Sequence, residues 1–579
     1  MEIENILKEA ILASLAELGL SRVSFDLELS SDSQGRGDYA TNAALTALSA
    51  QRPQKKVTKS SLDLAQEMVK ILEKKLLDGG MVNQITAVSP GFINFYLSGE
   101  FYKKLLIEAV NKGNNFGRQT TGRGKVVVID YSAPNIAKPF GIGHLRSTII
   151  GQALYNIFSF LGYRVIGDNH LGDWGTQFGV LLYQIDKKKL DPQKLTIKEL
   201  EDLYVGFHQK LQEDPEEQNK AREYFKRLES GELKLRKVWQ QLVNLSLAEY
   251  KKIYRLLRIE FDFALGESFY RDKIPAVLAD ARRRKIVVKS EGALIISLDN
   301  SPVPAMLVKS DGATTYLLRD LATIKYRVNQ WKPELIVYEV GADHKLHFAQ
   351  VFEAAEKLGY INKEKLIHVA HGMIRGDFGK LSTRKGGGVY LEEVLSEAIS
   401  RAWQLASRAG IAKNLSEKER GKVAEAVGIG AIKYNDLKQN PRTDIVFDWE
   451  KVLTLEGNSG PYLQYTYARA RRIIEEAGEC NIDLQKISKY SLKDEELSVV
   501  RLICYFRKTV EDSALSFSPN LIANLLYQLA QRFNTFYNRH RVLVEDREVR
   551  SFRLLLTKAT AQVLKNGLSL LGIEALERM

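Results

Sequence analysis

The sequence predicts an α/β protein built around an open parallel sheet, with a helical region at its carboxyl end. Two observations carry that prediction. First, the run Val126-Val127-Val128-Ile129 leads into a polar, glycine-bearing segment from Asp130 to Gly143. Apolar positions then recur every four residues at Leu145, Ile149, Ala153, Ile157 and Leu161. The continuous apolar run suits a strand buried on both faces, and the recurrence of four is one face of a helix. Gly162 stops that helix, and Arg164-Val-Ile-Gly167 reads as the next strand, completing a β-α-β unit. Second, beyond Leu453 the pattern turns predominantly helical. Leu521, Leu525, Leu529 and Phe533 line one helix face, with Pro519 just inside its start after a capping Ser518. A helical bundle of about 120 residues is the natural architecture there.

Taken in order, the chain opens with a helix from Ile3 to Leu18. The segment Gly37-Asp-Tyr-Ala-Thr-Asn42 precedes a helical run from Ala43 to Ala50, and Gly91-Phe-Ile-Asn-Phe-Tyr-Leu97 reads as a strand. These place a small α/β domain over residues 1–112, and the Gly-, Asn- and Thr-rich stretch 113–124 reads as a linker. A second domain spans 123–453. Its β-α-β pattern is interrupted over about 183–300 by charged helical sequence such as Lys187-Lys188-Lys189, mostly a solvated helix face. The second half resumes with Ala293-Leu-Ile-Ile-Ser297, the helix following Asp320, the strand Leu335 to Val340 and a strand-like run from Ile367 to Met373. The helical region is 454–579.

The chain has 579 residues, 45% hydrophobic and 27% charged, with a formal charge of +13. A basic surface of this size favours polyanion partners, nucleic acid first. Cys480 and Cys504 lie in apolar helical contexts without metal-ligand spacing, which suits free thiols in a reducing cytoplasm. No window reaches transmembrane length and the N-terminus is not a basic segment followed by an apolar run, so a soluble cytoplasmic protein without a membrane partner is expected. The segment Asp130 to Gly143 would sit at the carboxyl end of a strand and feed a helix N-terminus. Free backbone N–H groups and the helix dipole attract phosphate there, so an ATP site is expected.

Gly141-Ile142-Gly143-His144 resembles the first signature of the class I aminoacyl-tRNA synthetases, usually His-x-Gly-His, with Gly141 standing where the leading histidine would be. The surrounding Ser132-Ala-Pro-Asn-Ile-Ala-Lys-Pro139 and His144-Leu-Arg-Ser-Thr148 are similar to the arginyl-tRNA synthetases. The resemblance implies a Rossmann-like parallel-sheet catalytic domain with a connective insertion, a small N-terminal α/β additional domain that contacts tRNA, and a C-terminal α-helical anticodon-binding bundle. It also implies an ATP-dependent arginine–tRNA ligase, with ATP, Mg2+ carried by ATP and no dedicated protein metal site. Its partners would be L-arginine and an arginine tRNA, and it would act as a monomer. Two alternatives stay open at this point: a tRNA-binding paralogue impaired in catalysis, suggested by Gly141 and Thr383, and a class I synthetase for another amino acid.

Such chemistry needs no protein nucleophile; it works by positioning reactants and stabilising a charged phosphoryl transition state. His144 at the helix start would donate to phosphate, Gly143 would let the nucleotide approach, and Lys138 would add positive charge. The second ATP signature, the lysine loop, is matched over 376–388 by Lys380-Leu-Ser-Thr-Arg-Lys-Gly386. Thr383 takes the place of its second lysine, so charge would come from Lys380, Arg384 or Lys385. The resemblance therefore gives catalytic roles to His144, Lys380 and Arg384. It gives ATP-binding roles to Gly141, Gly143, His144, Lys138, Gly341, Asp343, Met373, Lys380 and Ser382.

A guanidinium carries five fixed donors and a permanent charge, so its pocket must present carboxylates and planar acceptors. Tyr316 and Asp320, four apart, share one helix face. The resemblance matches Asp130, Tyr316 and Asp320 to guanidinium reading, Asn135 to the α-amino end, and His344 to a position near it; His347 reads as packing. His170 to Gly179 reads as pocket wall, with Asp173 and Gln177 as polar liners. Candidate tRNA contacts are Asn94 in the N-terminal domain and Tyr462, Tyr465, Arg469, Phe536 and Met579 in the bundle. Aromatic planes beside arginines suit unpaired bases.

Overall fold

The structure, a computed structural model, describes residues 3–20, 23–29, 37–51, 60–210, 216–301, 303–376, 389–408, 415–478, 487 and 490–579. Its centre is a four-stranded sheet in the order Leu366–His371, Leu335–Gly341, Val126–Asp130, Arg164–Asp168, with every neighbouring pair parallel. Val128 stands opposite both Ile336 and Ile166. Strand 126–130 comes first in the chain and lies inside the sheet. The next strand adds on one side of it and the later pair on the other. The order therefore reverses between strands 126–130 and 335–341, and the crevice at their carboxyl ends is where open α/β sheets bind ligands.

Alternate residues of these strands feed two cores. Val127, Ile129 and Val337 pack under helix Gly143–Phe160, while Val128, Ile166, Ile336 and Tyr338 pack against helices Tyr316–Trp331 and Lys345–Lys357. This is the period-two burial that a sheet covered on both faces requires.

The connective insertion supplies helices Ile197–Lys210, Glu216–Glu229 and Leu233–Leu257. The expectation that Ala293–Ser297 resumes the parallel sheet is corrected. Ala293–Ile296 is the middle strand of a separate antiparallel sheet with Val287–Ser290 and Ala305–Val308. Its four residues are too few, and too close to their hairpin partner, to cross over into the main sheet.

Residues 3–112 form an antiparallel sheet in the order Leu27–Leu29, Tyr39–Thr41, Phe92–Leu97, Val82–Val88, with helices Ile3–Glu17, Ala43–Gln51, Ser61–Leu76 and Gly99–Lys112. The C-terminal bundle is built of Gly460–Ala477, Asp494–Leu515, Asn520–Arg539 and Arg547–Leu570. Ser459 Oγ caps the first of these through Tyr462 N at 3.2 Å, with Pro461 in its first turn. The cap expected at Ser518 is displaced: Pro519 is the N-cap, and the Ser518 hydroxyl instead donates to Ser516 O at 2.9 Å.

The bundle is bonded into the rest of the chain. Asn566 Nδ2 donates to the carbonyls of Gly113 and Phe116, each at 3.1 Å. Gln464 Nε2 reaches Ala426 O at 3.1 Å and Glu574 O at 2.9 Å. Lys433, buried in helix Glu417–Leu437, donates to the Leu257 carbonyl and to Gly572 O at 2.7 Å. Burial pushes its ammonium down to about 7.

Candidate active site

The segment between strand 126–130 and helix 143–160 is strained. Ser132, Ala133 and Ala137 all have positive φ, which non-glycine residues adopt only where the surroundings enforce it. The enforcing bonds are present. Ser132 N donates to Ser147 Oγ at 2.9 Å, Ala133 N to Asn169 Oδ1 at 3.1 Å, and Ala137 N to Ser246 Oγ at 2.9 Å. Ser246 belongs to the insertion, so the third helix of the insertion helps shape the signature loop. Tyr250 of the same helix donates to the carbonyls of Asn135 and Lys138 at 2.6 and 2.7 Å. The loop thus crosses the crevice with its conformation fixed from three sides.

At the nucleotide end, Gly143 is exposed, and a Cβ there would meet nothing within 4 Å. His144 follows at the helix start. Its Nδ1 is buried and has no hydrogen-bond partner among the described residues, and burial holds its imidazole below the ordinary value. Gly141 bridges to Tyr390, with Ile142 N donating to Val389 O at 2.9 Å and Leu391 N to Phe140 O at 2.8 Å. The residues just after the lysine loop are therefore bonded directly to the first signature. On the other side of that loop, Ile374–Gly376 pairs in parallel with Ile445–Phe447. Lys380, Ser382 and Arg384 themselves lie outside the described residues. Gly341, Asp343 and Met373 lie at or beyond the ends of neighbouring strands, the latter two with exposed side chains. Lys138 turns towards the insertion, its Nζ 5.3 Å from the Tyr204 ring centroid.

Behind this end sits a buried charge group. Arg146 pairs with Asp436 at 3.2 Å and donates to Thr443 O at 2.6 Å, and burial raises Asp436 to about 6. His371, at the end of the edge strand, receives the carboxylate of buried Glu339 on its Nδ1 at 3.0 Å.

At the other end of the crevice, Tyr316 begins helix 316–331 and is 66% exposed, with Thr315 as N-cap. Asp320, one turn on, pairs through Oδ2 with His347 Nε2 at 2.6 Å. Burial pushes the His347 imidazole down, but the Asp320 carboxylate outweighs it and holds the ring above its ordinary value. His347 thus packs on the Phe348 ring, as expected, and also carries this bond to Asp320. Arg319 pairs with Glu267 at 2.8 Å, and its guanidinium lies 5.0 Å from the Tyr316 ring centroid. His344 is half exposed, beside Asp343 at 3.5 Å.

Asp130 requires a correction. Its carboxylate is buried and accepts from Arg327 Nη2 at 2.7 Å, and the same guanidinium pairs with buried Asp168 at 2.8 Å. Burial opposes the charge on Arg327, but the two carboxylates outweigh it and hold its pKa well above the ordinary value. A carboxylate this deep needs a cation of its own, so Asp130 already grips an internal guanidinium three helical turns below Tyr316. It reaches a ligand only through its field; Asp130 and Asp320 both raise the buried Tyr338 phenol, after burial itself.

Asn135 is exposed and packs over Gly172, where a Cβ would come within 2.3 Å of its Oδ1. Asp173 is not a liner: its carboxylate accepts from Ser268 N and Oγ at 2.8 and 2.6 Å.

Two tRNA candidates are also corrected. Asn94 is 3% exposed, between Ala40 and Thr86 in its sheet, and Phe536 is fully buried in the bundle core. Neither offers a surface group. Met579 packs against the cluster of Val423, Val427 and Leu576. Tyr465 and the exposed Tyr537 flank Arg469, whose guanidinium lies 4.9 and 5.3 Å from their ring centroids. Asn534 joins Arg469 to the Tyr462 hydroxyl. These form one aromatic and cationic surface.

Among the described residues no group of three or more His, Cys, Asp or Glu side chains could hold a metal, and no helix is long and apolar enough to cross a membrane.

The chain matches the family model of the class I tRNA synthetase (R) catalytic domain over residues 106–449, the arginyl tRNA synthetase N-terminal domain over 3–97 and the DALR anticodon-binding domain over 463–579. It is 40% identical over 499 residues to an arginine–tRNA ligase of Halothermothrix orenii, covering 84% of this chain and 86% of the relative. To the ligase of Fusobacterium nucleatum it is 41% identical over 508 residues, covering 86% and 88%. The arginyl-tRNA synthetase of Plasmodium falciparum superposes with a TM-score of 0.82 at 25% identity, covering 100% of this chain and 98% of that one. That of Thermus thermophilus does so with 0.82 at 26% identity, covering 99% of each.

Proposed function

The chain belongs to the class I arginyl-tRNA synthetases, and from that premise we propose how its crevice works. It is an ATP-dependent arginine–tRNA ligase that releases AMP and pyrophosphate. The arginine carboxylate attacks the α-phosphorus of ATP, pyrophosphate leaves, and arginyl-adenylate forms. A hydroxyl of the terminal ribose of tRNA then attacks the arginyl carbonyl and AMP departs.

In this reading ATP lies along the start of helix 143–160, with its phosphates against the backbone at Gly143 and the His144 ring, and its adenosine against Gly341, Asp343 and Met373. His144, neutral through burial, contributes as an oriented donor. The lysine loop residues Lys380, Ser382 and Arg384 supply the remaining phosphate contacts. Magnesium enters as the counterion of ATP.

Arginine is read by Asp320 and Tyr316, its α-amino end by Asn135, with His344 nearby. Asp130 acts from beneath, adding negative potential without contact. The observation that carries this reading is the position of Asp320, a partly buried carboxylate at the mouth of the crevice whose partner among the described residues is a titratable imidazole. A guanidinium can replace that imidazole and form the stronger charge-assisted pair. Lysine and neutral analogues would leave the pocket's acceptors unpaired, which suffices for discrimination without an editing domain.

The tRNA is read by the Tyr465–Arg469–Tyr537 surface with Tyr462 behind it. The N-terminal domain meets the tRNA body by residues other than Asn94. The protein acts as a cytoplasmic monomer; the free Cys504 thiol is in keeping with a reducing compartment. Aminoacylation of bulk tRNA with a panel of labelled amino acids tests the substrate: arginine alone should be charged, and equal charging of lysine or cysteine would refute the pocket. Family resemblance further suggests that adenylate formation requires bound tRNA. Arginine-dependent ATP–pyrophosphate exchange should then vanish without tRNA, and equal rates would sink that coupling.

A further inference from the structure

Gly141 removes an imidazole from the nucleotide end, and Lys138, the nearest cation in sequence, is turned towards Tyr204. A different group is placed to supply the missing charge. His371 ends strand 366–371 and stands opposite Gly341 in the parallel register, at the carboxyl edge of the sheet beside the crevice. Its Nδ1 lies 3.0 and 3.2 Å from the two oxygens of Glu339. Glu339 is fully buried, and this imidazole is the only hydrogen-bond partner of its carboxylate among the described residues. A carboxylate so buried is most stable opposite a cation, which favours the imidazolium at His371. With Nδ1–H committed to Glu339, the ring's other donor, Nε2–H, makes no hydrogen bond among the described residues. It faces the Gly341 backbone, 3.7 Å from where a Cβ would stand.

We infer that His371 is the second imidazole of the ATP site, donating from Nε2 to a triphosphate oxygen and replacing the side chain that Gly141 lacks. The two rings would then work in opposite states. His144 is neutral because burial lowers it; in His371 burial acts the same way, but Glu339 outweighs it and the ring is held above its ordinary value. The other charged or titratable groups around His371 are Arg146, which opposes its proton, Asp436, which supports it, and His144, His368 and Asp343. This inference rests on the ligase reading and deepens it.

The test is steady-state aminoacylation of tRNA by the full chain, with saturating arginine and varied ATP. Wild-type protein comes first: if it charges no tRNA with arginine, the ligase reading fails and the inference with it. If it does, His371→Asn should lower kcat/KM for ATP roughly ten- to hundredfold, as loss of one oriented donor to phosphate does. The same variant should leave KM for arginine within about twofold, while its thermal melt should fall because Glu339 loses its counter-charge, so the kinetics are read well below that melt. The decisive arm is Gly141→His. A side chain fits there, since a Cβ would meet nothing nearer than 3.8 Å and the backbone is not left-handed. In the His371→Asn background it should recover about tenfold of the loss. A purely structural role for His371 would not be rescued at Gly141, so an unrelieved loss overturns the inference, as does an unchanged KM for ATP in His371→Asn. Glu339→Gln gives an independent reading. KM for ATP should rise with pH as His371 loses its proton, and that rise should move to lower pH in the variant. An unmoved profile would also overturn the inference.

Discussion

The two ends of the crevice handle charge in opposite ways. At the nucleotide end the groups are left without protein partners: Gly143 faces empty space, and neither His144 Nδ1, itself buried, nor His371 Nε2 has a hydrogen-bond partner among the described residues. At the arginine end every carboxylate is already engaged: Asp130 and Asp168 by Arg327, Glu267 by Arg319, and Asp320 by His347. The difference follows from what each end binds. Triphosphate brings a dense negative charge to a helix start that needs only donors held in place. A guanidinium requires carboxylates, and carboxylates without counter-ions would repel one another and resist burial while the site waits. The arginine end therefore keeps surrogate cations, and only one of them, His347, can shed its charge near neutral pH.

The largest expected effect tests the permanent surrogate. Arg327→Met should cost about 3–5 kcal/mol of stability, because it leaves two buried aspartates uncompensated. Urea denaturation should show this as a lowered midpoint, and a midpoint within error of the wild type would dissolve the contrast between the ends. Asp320→Asn comes next. It should lower kcat/KM for arginine about a hundredfold, roughly 2.7 kcal/mol, while KM for ATP stays put. Parallel changes for both substrates would mean that the ends do not act separately.

A smaller effect sharpens the role of the labile surrogate. His347 carries a raised pKa, so below it the imidazolium competes with the substrate guanidinium for Asp320. KM for arginine should fall a few-fold as pH climbs above about 6.5, the ordinary histidine value, and His347→Asn should flatten that dependence. The smallest prediction concerns the open end. Gly143→Ala should leave stability within about 1 kcal/mol, since a methyl meets nothing there and alanine suits a helix better. KM for ATP should nevertheless rise several-fold as the methyl takes up space meant for the nucleotide; titration with ATP checks it.

Much of this was legible in the sequence because the determinants are local. The valine run, the glycine-bearing turn and the four-residue recurrence placed strand 126–130 and helix 143–160 almost to the residue. What escaped is non-local. Asp130 and Arg327 are 197 positions apart, so no pattern could announce that one neutralises the other. His347 and His371 owe their chemistry to Asp320 and Glu339 on other elements. Phe536 is a different kind of error, since a signal was available. It continues the buried series Leu525, Leu529, Phe533 at helical spacing, whereas Tyr537 next to it faces outward. Asn94 failed for the opposite reason. In a strand its alternation with Ile93 and Phe95 predicts the outer face, yet at Asn94 itself that face is covered, while Phe92 on the same face stays exposed.

The ammonium of Lys433 reaches backward to the end of an insertion helix and forward to Gly572, past the last helix of the bundle. A protein so fastened is modular in its ancestry and not in its mechanics. Grafting another bundle onto this catalytic half, or trimming residues after 570, would leave an amine in a dry interior with one of its two acceptors gone. Such chimaeras should fail first at solubility, long before any question of which anticodon they read.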